Sequence, residues 1–274
     1  MNNRKEAPIG VFDSGVGGLT VAKEIMYQIP NEKVIYFGDT ARVPYGNKTK
    51  ETITKYALQI VRFLKTQTVK AIVVACNTAS AYALDEIEQA IDIPVIDVIK
   101  PGAKMAVEST KNGKVGVIGT RGTIGSETYT TYVRQLNPEV EVIGKACPLF
   151  VHLVEEGLWE DPVTEEIAKR YLADLIDVDI DTLILGCTHY PLIRKTVQRI
   201  MGDDVRLVNP AYETARELKV LLEKHDILNE QAPGLGTNMH RFFVSDAAER
   251  FQILANSILK YGILSAKVVH IEEY

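Results

Sequence analysis

Two cysteines stand at matching places in this chain. Residues 71–80 read Ala-Ile-Val-Val-Ala-Cys76-Asn77-Thr78-Ala-Ser, and residues 182–191 read Thr-Leu-Ile-Leu-Gly-Cys187-Thr188-His189-Tyr-Pro. In each, a short apolar run leads straight into the thiol, and a hydroxyl or amide residue follows. Such runs suit strands buried on both faces in a parallel sheet, and open α/β sheets bind ligands beyond the carboxyl ends of their strands. A thiol there serves as base or nucleophile once its pKa is lowered or a neighbour takes its proton. Two thiols on opposite faces of one molecule do more. One removes a proton from carbon while the other delivers a proton to the far side, which inverts a stereocentre with no cofactor. Each needs a polar partner poised near the working pH; Asp13 is the candidate for one thiol, His189 and Glu155 for the other.

Other chemistries fit less well. Cys187-Thr-His189 could join a metal site, but zinc needs three or four converging ligands and the remaining candidates lie on separate strands; no metal is expected. Disulfide redox usually uses Cys-x-x-Cys in one loop, a pattern this sequence lacks. Gly15-Val16-Gly17-Gly18 follows a strand, yet Thr20 stands where the dinucleotide fingerprint needs a small residue, and no Gly-Lys-Ser/Thr follows. Asp13 beside it would repel a phosphate. The loop reads better as N–H groups offered to a smaller anion such as a carboxylate. Cys147 reads as a small buried hydrophobe.

The elements that must position these residues alternate. Strands are predicted at 8–12, 33–37, 71–75, 94–98, 114–118, 140–144, 182–186, 204–208 and 240–244, with a short one at 267–271. Helices are predicted from the glycine loop to Tyr27, over 50–66 and 80–91, from the second glycine loop to Leu136, and over 163–176, 191–201, 210–224 and 246–260. Residues 149–157 read as a short turn or helix, and 227–238, with Pro-Gly-Leu-Gly-Thr, as an exposed loop. This alternation implies βαβ units. Near Lys100-Pro101-Gly102 the pattern restarts: Asp13 to Cys76 is 63 residues, and Thr120 to Cys187 is 67. We read a degenerate internal duplication. The expected fold is α/β, with two pseudo-symmetric domains, each a mostly parallel sheet flanked by helices, around an active-site cleft. Residues 1–98 with 210–274 form the first, discontinuous domain, and 99–209 the inserted second.

Composition agrees with a soluble enzyme. The 274 residues are 46% hydrophobic and 24% charged, average for a globular protein. A net charge of −5 leaves no basic footprint, so neither nucleic acid nor membrane is an expected partner. No run reaches the roughly 18 apolar residues of a membrane span, and the first residues lack a signal-peptide core. Three distant cysteines make no disulfide framework. A reducing cytoplasm is the expected location.

Four stretches together carry a resemblance: Ile9-Gly-Val-Phe-Asp13-Ser14-Gly15-Val-Gly17-Gly18-Leu, Pro44-Tyr45-Gly46, Ala75-Cys76-Asn77-Thr78-Ala, and Leu185-Gly186-Cys187-Thr188-His189-Tyr190-Pro191. In order and spacing they resemble the glutamate racemase family. The resemblance implies a cofactor-independent enzyme that interconverts L- and D-glutamate and supplies D-glutamate for bacterial peptidoglycan. It implies Cys76 and Cys187 as the acid/base pair, with Asp13 assisting the first and His189 and Glu155 the second. Ser14, Pro44, Tyr45, Gly46, Asn77, Thr78 and Thr188 would hold the substrate, joined by Thr120 and Thr123. All but Pro44 offer neutral donors suited to carboxylates. Plainer roles stand beside them. Asp13 could cap the following helix, Tyr45 could be a turn residue, Glu155 with Glu156 a solvated pair, and His189 packing between the halves. Two positions depart from the family pattern: His152, where Pro is frequent, and Asn209, where Asp or Ser is more usual. Rival functions are racemisation of another amino acid such as aspartate, a related decarboxylase, or a non-enzymatic binding module. A homodimer is expected from the abundance of twofold oligomers.

Overall fold

The computed structural model describes residues 4–231, 239–259 and 265–274. Part of the loop predicted at 227–238, and the last residue of the helix predicted at 246–260, lie outside them. The uninterrupted apolar runs do become strands covered on both faces. Every residue of β1 (Ile9–Asp13), β2 (Val34–Gly38), β3 (Ala71–Val74) and β7 (Thr182–Gly186) is buried, as expected of a sheet clothed by helices on each side.

Two parallel sheets result. The first has the order β10-β9-β2-β1-β3-β4, with β4 at Val95–Asp97, β9 at Arg241–Val244 and β10 at Ala266–Val268. The second has the order β6-β5-β7-β8, with β5 at Lys114–Gly119, β6 at Glu141–Ala146 and β8 at Arg206–Val208. Within each, the second strand in sequence precedes the first, and the third and fourth follow on the other side. This repeat of strand order is the topological counterpart of the repeat read from the sequence. It makes β3 and β7, the two strands that run into the cysteines, equivalent. Strands β9 and β10, late in the chain, return to extend the first sheet.

The helices are α1 (Leu19–Gln28), α2 (Lys50–Thr66), α3 (Asn77–Ala90), α4 (Ile99–Ser109), α5 (Arg121–Gly125), α6 (Thr128–Leu136), α7 (Leu149–Glu155), α8 (Pro162–Asp177), α9 (Arg194–Met201), α10 (Pro210–Lys224) and α11 (Ala248–Leu259). Four differ from expectation; among them α9, expected from residue 191, begins at Arg194 after a 3-10 turn over Tyr190–Ile193. Helix α3 begins at Asn77 rather than 80, so that Cys76 is its N-cap. Helix α4 fills the stretch near Lys100-Pro101-Gly102 where the sequence shows only the pattern restarting, and Pro101 falls in its first turn, where a missing N–H costs nothing. The helix expected to end at Leu136 is two, α5 and α6, divided at Glu127, whose φ of 55° is left-handed. Asn209, at the junction between β8 and α10, caps α10 through its Oδ1, 3.2 Å from the Ala211 N–H. Among the described residues no helix is long and apolar enough to cross a membrane.

Candidate active site

Cys76 lies just past the end of β3 and is buried at the N-terminus of α3. A 14-residue helix presents partial positive charge there. Burial wins nonetheless, and with the negative field of Asp13 pushes the thiol up to about 12, against the pull of the Ala79 N–H and the Ser14 hydroxyl. Asp13 ends the neighbouring strand β1 and is wholly buried. Its Oδ2 accepts the Gly18 N–H at 2.9 Å and the Gly15 N–H at 3.1 Å, and its Oδ1 lies 3.3 Å from the Thr188 hydroxyl. Burial raises this carboxyl, while the charge of His189 and these hydrogen bonds work the other way. The glycine-loop expectation is corrected here. The Gly15 and Gly18 N–H groups turn to the chain's own Asp13 rather than to an outside carboxylate. Because Gly18 is the N-cap of α1, Asp13 also steadies that helix start, so its capping and its place beside Cys76 coexist.

Cys187 follows β7 directly, and a 3-10 turn over Tyr190–Ile193 comes after. Its Sγ is 3.8 Å from His189 Nδ1, and His189 Nε2 is 3.2 Å from Glu155 Oε1. The imidazole is buried. Burial opposes its charge, but hydrogen bonds to Cys187 and Glu155 and the negative fields of Cys187 and Asp13 outweigh it, raising His189 to about 10. Glu155 sits at the last turn of α7; burial works against its ionisation, but His189, Arg250 and His152 hold it below the usual range. The adjacent Glu156 instead faces out and pairs with Arg250 at 2.8 Å, so the two glutamates are not one solvated pair. His152 is exposed. Two glycines are needed by contact alone. A methyl group at Gly17 would overlap the His189 ring and Thr188 Oγ1, and one at Gly18 would overlap Asp13 and the Tyr36 hydroxyl.

The start of α3 and the residues after the end of β5 share a cluster of hydroxyls. Thr78 Oγ1 is 2.9 Å from Thr120 Oγ1 and 3.3 Å from Thr123 Oγ1, and the latter two are 3.1 Å apart. Gly46 lies against Thr120 so closely that a side chain there would collide, which brings the Pro44-Tyr45-Gly46 turn to the cluster. The Tyr45 phenol itself is committed elsewhere, donating to Asp39 Oδ2. The structure thus links Asp13 with Thr188, Cys187 with His189 and Glu155, and Thr78 with Thr120, Thr123 and Gly46, while the Tyr45 hydroxyl turns to Asp39.

Three buried side chains without an assigned role also support it. Asp39 holds the Tyr45 turn, accepting from Arg42 Nε at 2.7 Å and Ser245 Oγ at 2.8 Å. Its position after β2 mirrors that of Asp13 at the end of β1, a signal in the sequence. Tyr36 donates to the Gly15 carbonyl at 2.7 Å, and Tyr129 donates to Asn77 Oδ1 at 2.7 Å. These two sit in apolar patterns that do not mark them out.

Two thiols at equivalent strand ends, one beside a carboxylate and one beside an imidazole, can exchange a proton with a carbon held between them. Residues 10–218 match the model of the Asp/Glu/Hydantoin racemase family. The chain is 50% identical over 251 residues to a glutamate racemase from Geobacter metallireducens, covering 92% of each. It is similar to the crystal structure of glutamate racemase isoform RacE1 from Bacillus anthracis, with a TM-score of 0.92 and 44% identity over 97% of this chain and 98% of that one. The Francisella tularensis glutamate racemase, solved in complex with D-glutamate, gives 0.91 and 42% over 98% and 100%. The chain belongs to the Asp/Glu/Hydantoin racemase family and is a racemase, an isomerase.

Proposed function

We propose that this racemase interconverts L- and D-glutamate by passing the α-proton between Cys76 and Cys187, without a cofactor. The observation that carries this reading is the pairing of two equivalent strand-end thiols with unlike partners. In one direction a Cys187 thiolate, with the His189 cation 3.8 Å away, takes the α-proton from one face of the amino acid. The electron pair left on carbon is delocalised into the α-carboxylate, where preorganised neutral donors stabilise it. The Cys76 thiol then gives its proton to the opposite face. The reverse direction uses Cys76 as the base and Cys187 as the acid. Atoms and charge balance with no co-reactant: one thiol gains the proton that the other loses. Resetting the two thiols between turnovers falls to Asp13 and to the His189–Glu155 pair.

The glutamate assignment rests on the names of relatives at 42–50% identity and on an abundance of neutral carboxylate donors from both sheets. The division into 1–98 with 210–274 and 99–209 belongs to the same reading, since a cleft between two units lets the thiols approach from opposite sides. So do a cytoplasmic location, a homodimer, and a supply of D-glutamate to peptidoglycan. Aspartate, one methylene shorter, is the second substrate to test, because a pocket discriminates a methylene only modestly. Purified protein with each amino acid and no added cofactor, followed by circular dichroism, decides the substrate. Signal loss with glutamate at least about 10-fold faster than with aspartate is expected; the opposite ranking removes the glutamate assignment.

A further inference from the structure

Asn77 is the first residue of α3 and stands beside Cys76 in the first sheet's unit, whereas Tyr129 belongs to α6, which packs with the second. Both are buried, at 4% and 3% exposure, and the phenol donates to the amide oxygen at 2.7 Å. The same ring underlies the other thiol's strand: a methyl group at Gly186, the residue before Cys187, would come within 3.1 Å of Tyr129 Cε2. Asn77, Cys187 and Thr188 line one small cavity together with Thr20. One tyrosine therefore touches the surroundings of both thiols.

An amide side chain offers one acceptor and two donors, and a substrate carboxylate can use only the donors. With Oδ1 occupied by Tyr129, the Nδ2 group points away from the phenol. We propose that Tyr129 is a positioning residue that fixes the Asn77 amide across the cleft, so that Nδ2 presents its donors to a carboxylate of the bound amino acid. This rests on the reading of Asn77 as a substrate-binding residue. It also ties that grip to the approach of the second unit, because the phenol reaches Asn77 only where the two units meet. The phenol remains a donor throughout: burial, with the negative fields of Asp97 and Cys187, keeps it well above the usual tyrosine range.

The test is a double-mutant cycle in the full chain, with kcat and KM for L- and D-glutamate measured by circular dichroism and folding checked by thermal melting. Tyr129→Phe should raise KM about 10-fold, because the Asn77 amide it no longer holds loses a well-placed hydrogen bond to the substrate carboxylate, with kcat within about 3-fold of the parent. Asn77→Ala should raise KM further, and the double variant should be no worse than Asn77→Ala alone. Effects that multiply, or a Tyr129→Phe loss confined to kcat, overturn the proposal while leaving Asn77 as a substrate contact. An unchanged KM in Asn77→Ala overturns the substrate-binding reading itself. Asn77→Asp covers the case in which Tyr129→Phe does not fold. It keeps the acceptor for Tyr129, removes the donors and adds a negative charge facing the carboxylate, so its KM should be at least that of Asn77→Ala; a parental KM there refutes the donor role.

Discussion

Cys76 and Cys187 leave equivalent strands in two sheets of the same local order, but their surroundings have opposite charge. Burial, joined by the negative field of the buried Asp13 carboxylate, pushes the Cys76 thiol up to about 12. Beside Cys187 lies an imidazole held in its charged form by Glu155. The repeated backbone supplies the mirrored geometry, and local substitutions supply the asymmetry. A pair of identical thiols in identical fields would share one resting protonation state, and neither direction would begin with an acid facing a base. Unlike neighbours make the two sides distinguishable by substitution.

The largest test of this difference is His189→Asn. Removing the cation should lower kcat/KM by about 100-fold, within the usual range for a general acid–base group. Because L- and D-glutamate have equal free energy, that loss must be the same in both directions. The asymmetry shows instead in the primary isotope effect with α-deuterated substrate, which should rise for the enantiomer that Cys187 deprotonates. Asp13→Asn should raise it for the other enantiomer. Equal rises for both enantiomers in both variants would mean that the two sides are interchangeable.

A smaller effect is expected with pH. His189 is raised from the ordinary histidine value of 6.5 to about 10. Its charged form therefore contributes stability that is fully present below about pH 6.5 and is lost as pH rises through about 10. Activity should fall along the same upper limb, because the cation beside Cys187 disappears there. In His189→Asn that limb should be missing, and the melting-temperature gap to the parent should narrow from neutral pH to above 10. A limb that survives the substitution belongs to another group.

The neighbouring glycines separate the two sides by position alone. Gly17→Ala should press on His189 and Thr188 and act mainly on catalysis. Gly18→Ala should press on Asp13 and Tyr36, deep under the first sheet, and destabilise by about 1–3 kcal/mol, the ordinary cost of overpacking. Melting curves and rates on both variants check this. Equal melting temperatures with equal rates would show that the loop yields freely on both sides.

Much of this was legible before the fold was seen. Both cysteines announce themselves because the buried apolar runs Ala71–Val74 in β3 and 183–185 in β7 lead almost straight to the thiol. His189 lies two residues after Cys187, so sequence proximity reveals it, whereas Asp13 ends a different strand, β1, and is legible as a polar residue at the close of an apolar run. The start of α3 was hidden because Asn77-Thr78 resembles loop polarity, although such residues are at home in a first turn. Helix α4 was hidden because Pro101-Gly102 reads as a breaker irrespective of its position in the turn. The Tyr129–Asn77 bond spans 52 residues and joins two units. No local pattern reports a distance of that kind. The destination of the Gly15 and Gly18 N–H groups was misread because a glycine loop shows that anion donors exist without showing which anion they meet.

The most direct measurement of the two-thiol claim is proton-source labelling. The parent protein is mixed with L-glutamate in deuterated water, and at early turnover both enantiomers are recovered and their α-positions analysed by mass spectrometry. Transfer between two different thiols predicts D-glutamate carrying deuterium at the α-carbon, with the remaining L-glutamate unlabelled, and the converse pattern starting from D-glutamate. D-Glutamate that keeps the original protium, or L-glutamate labelled as fast as product forms, would mean that a single base serves both faces.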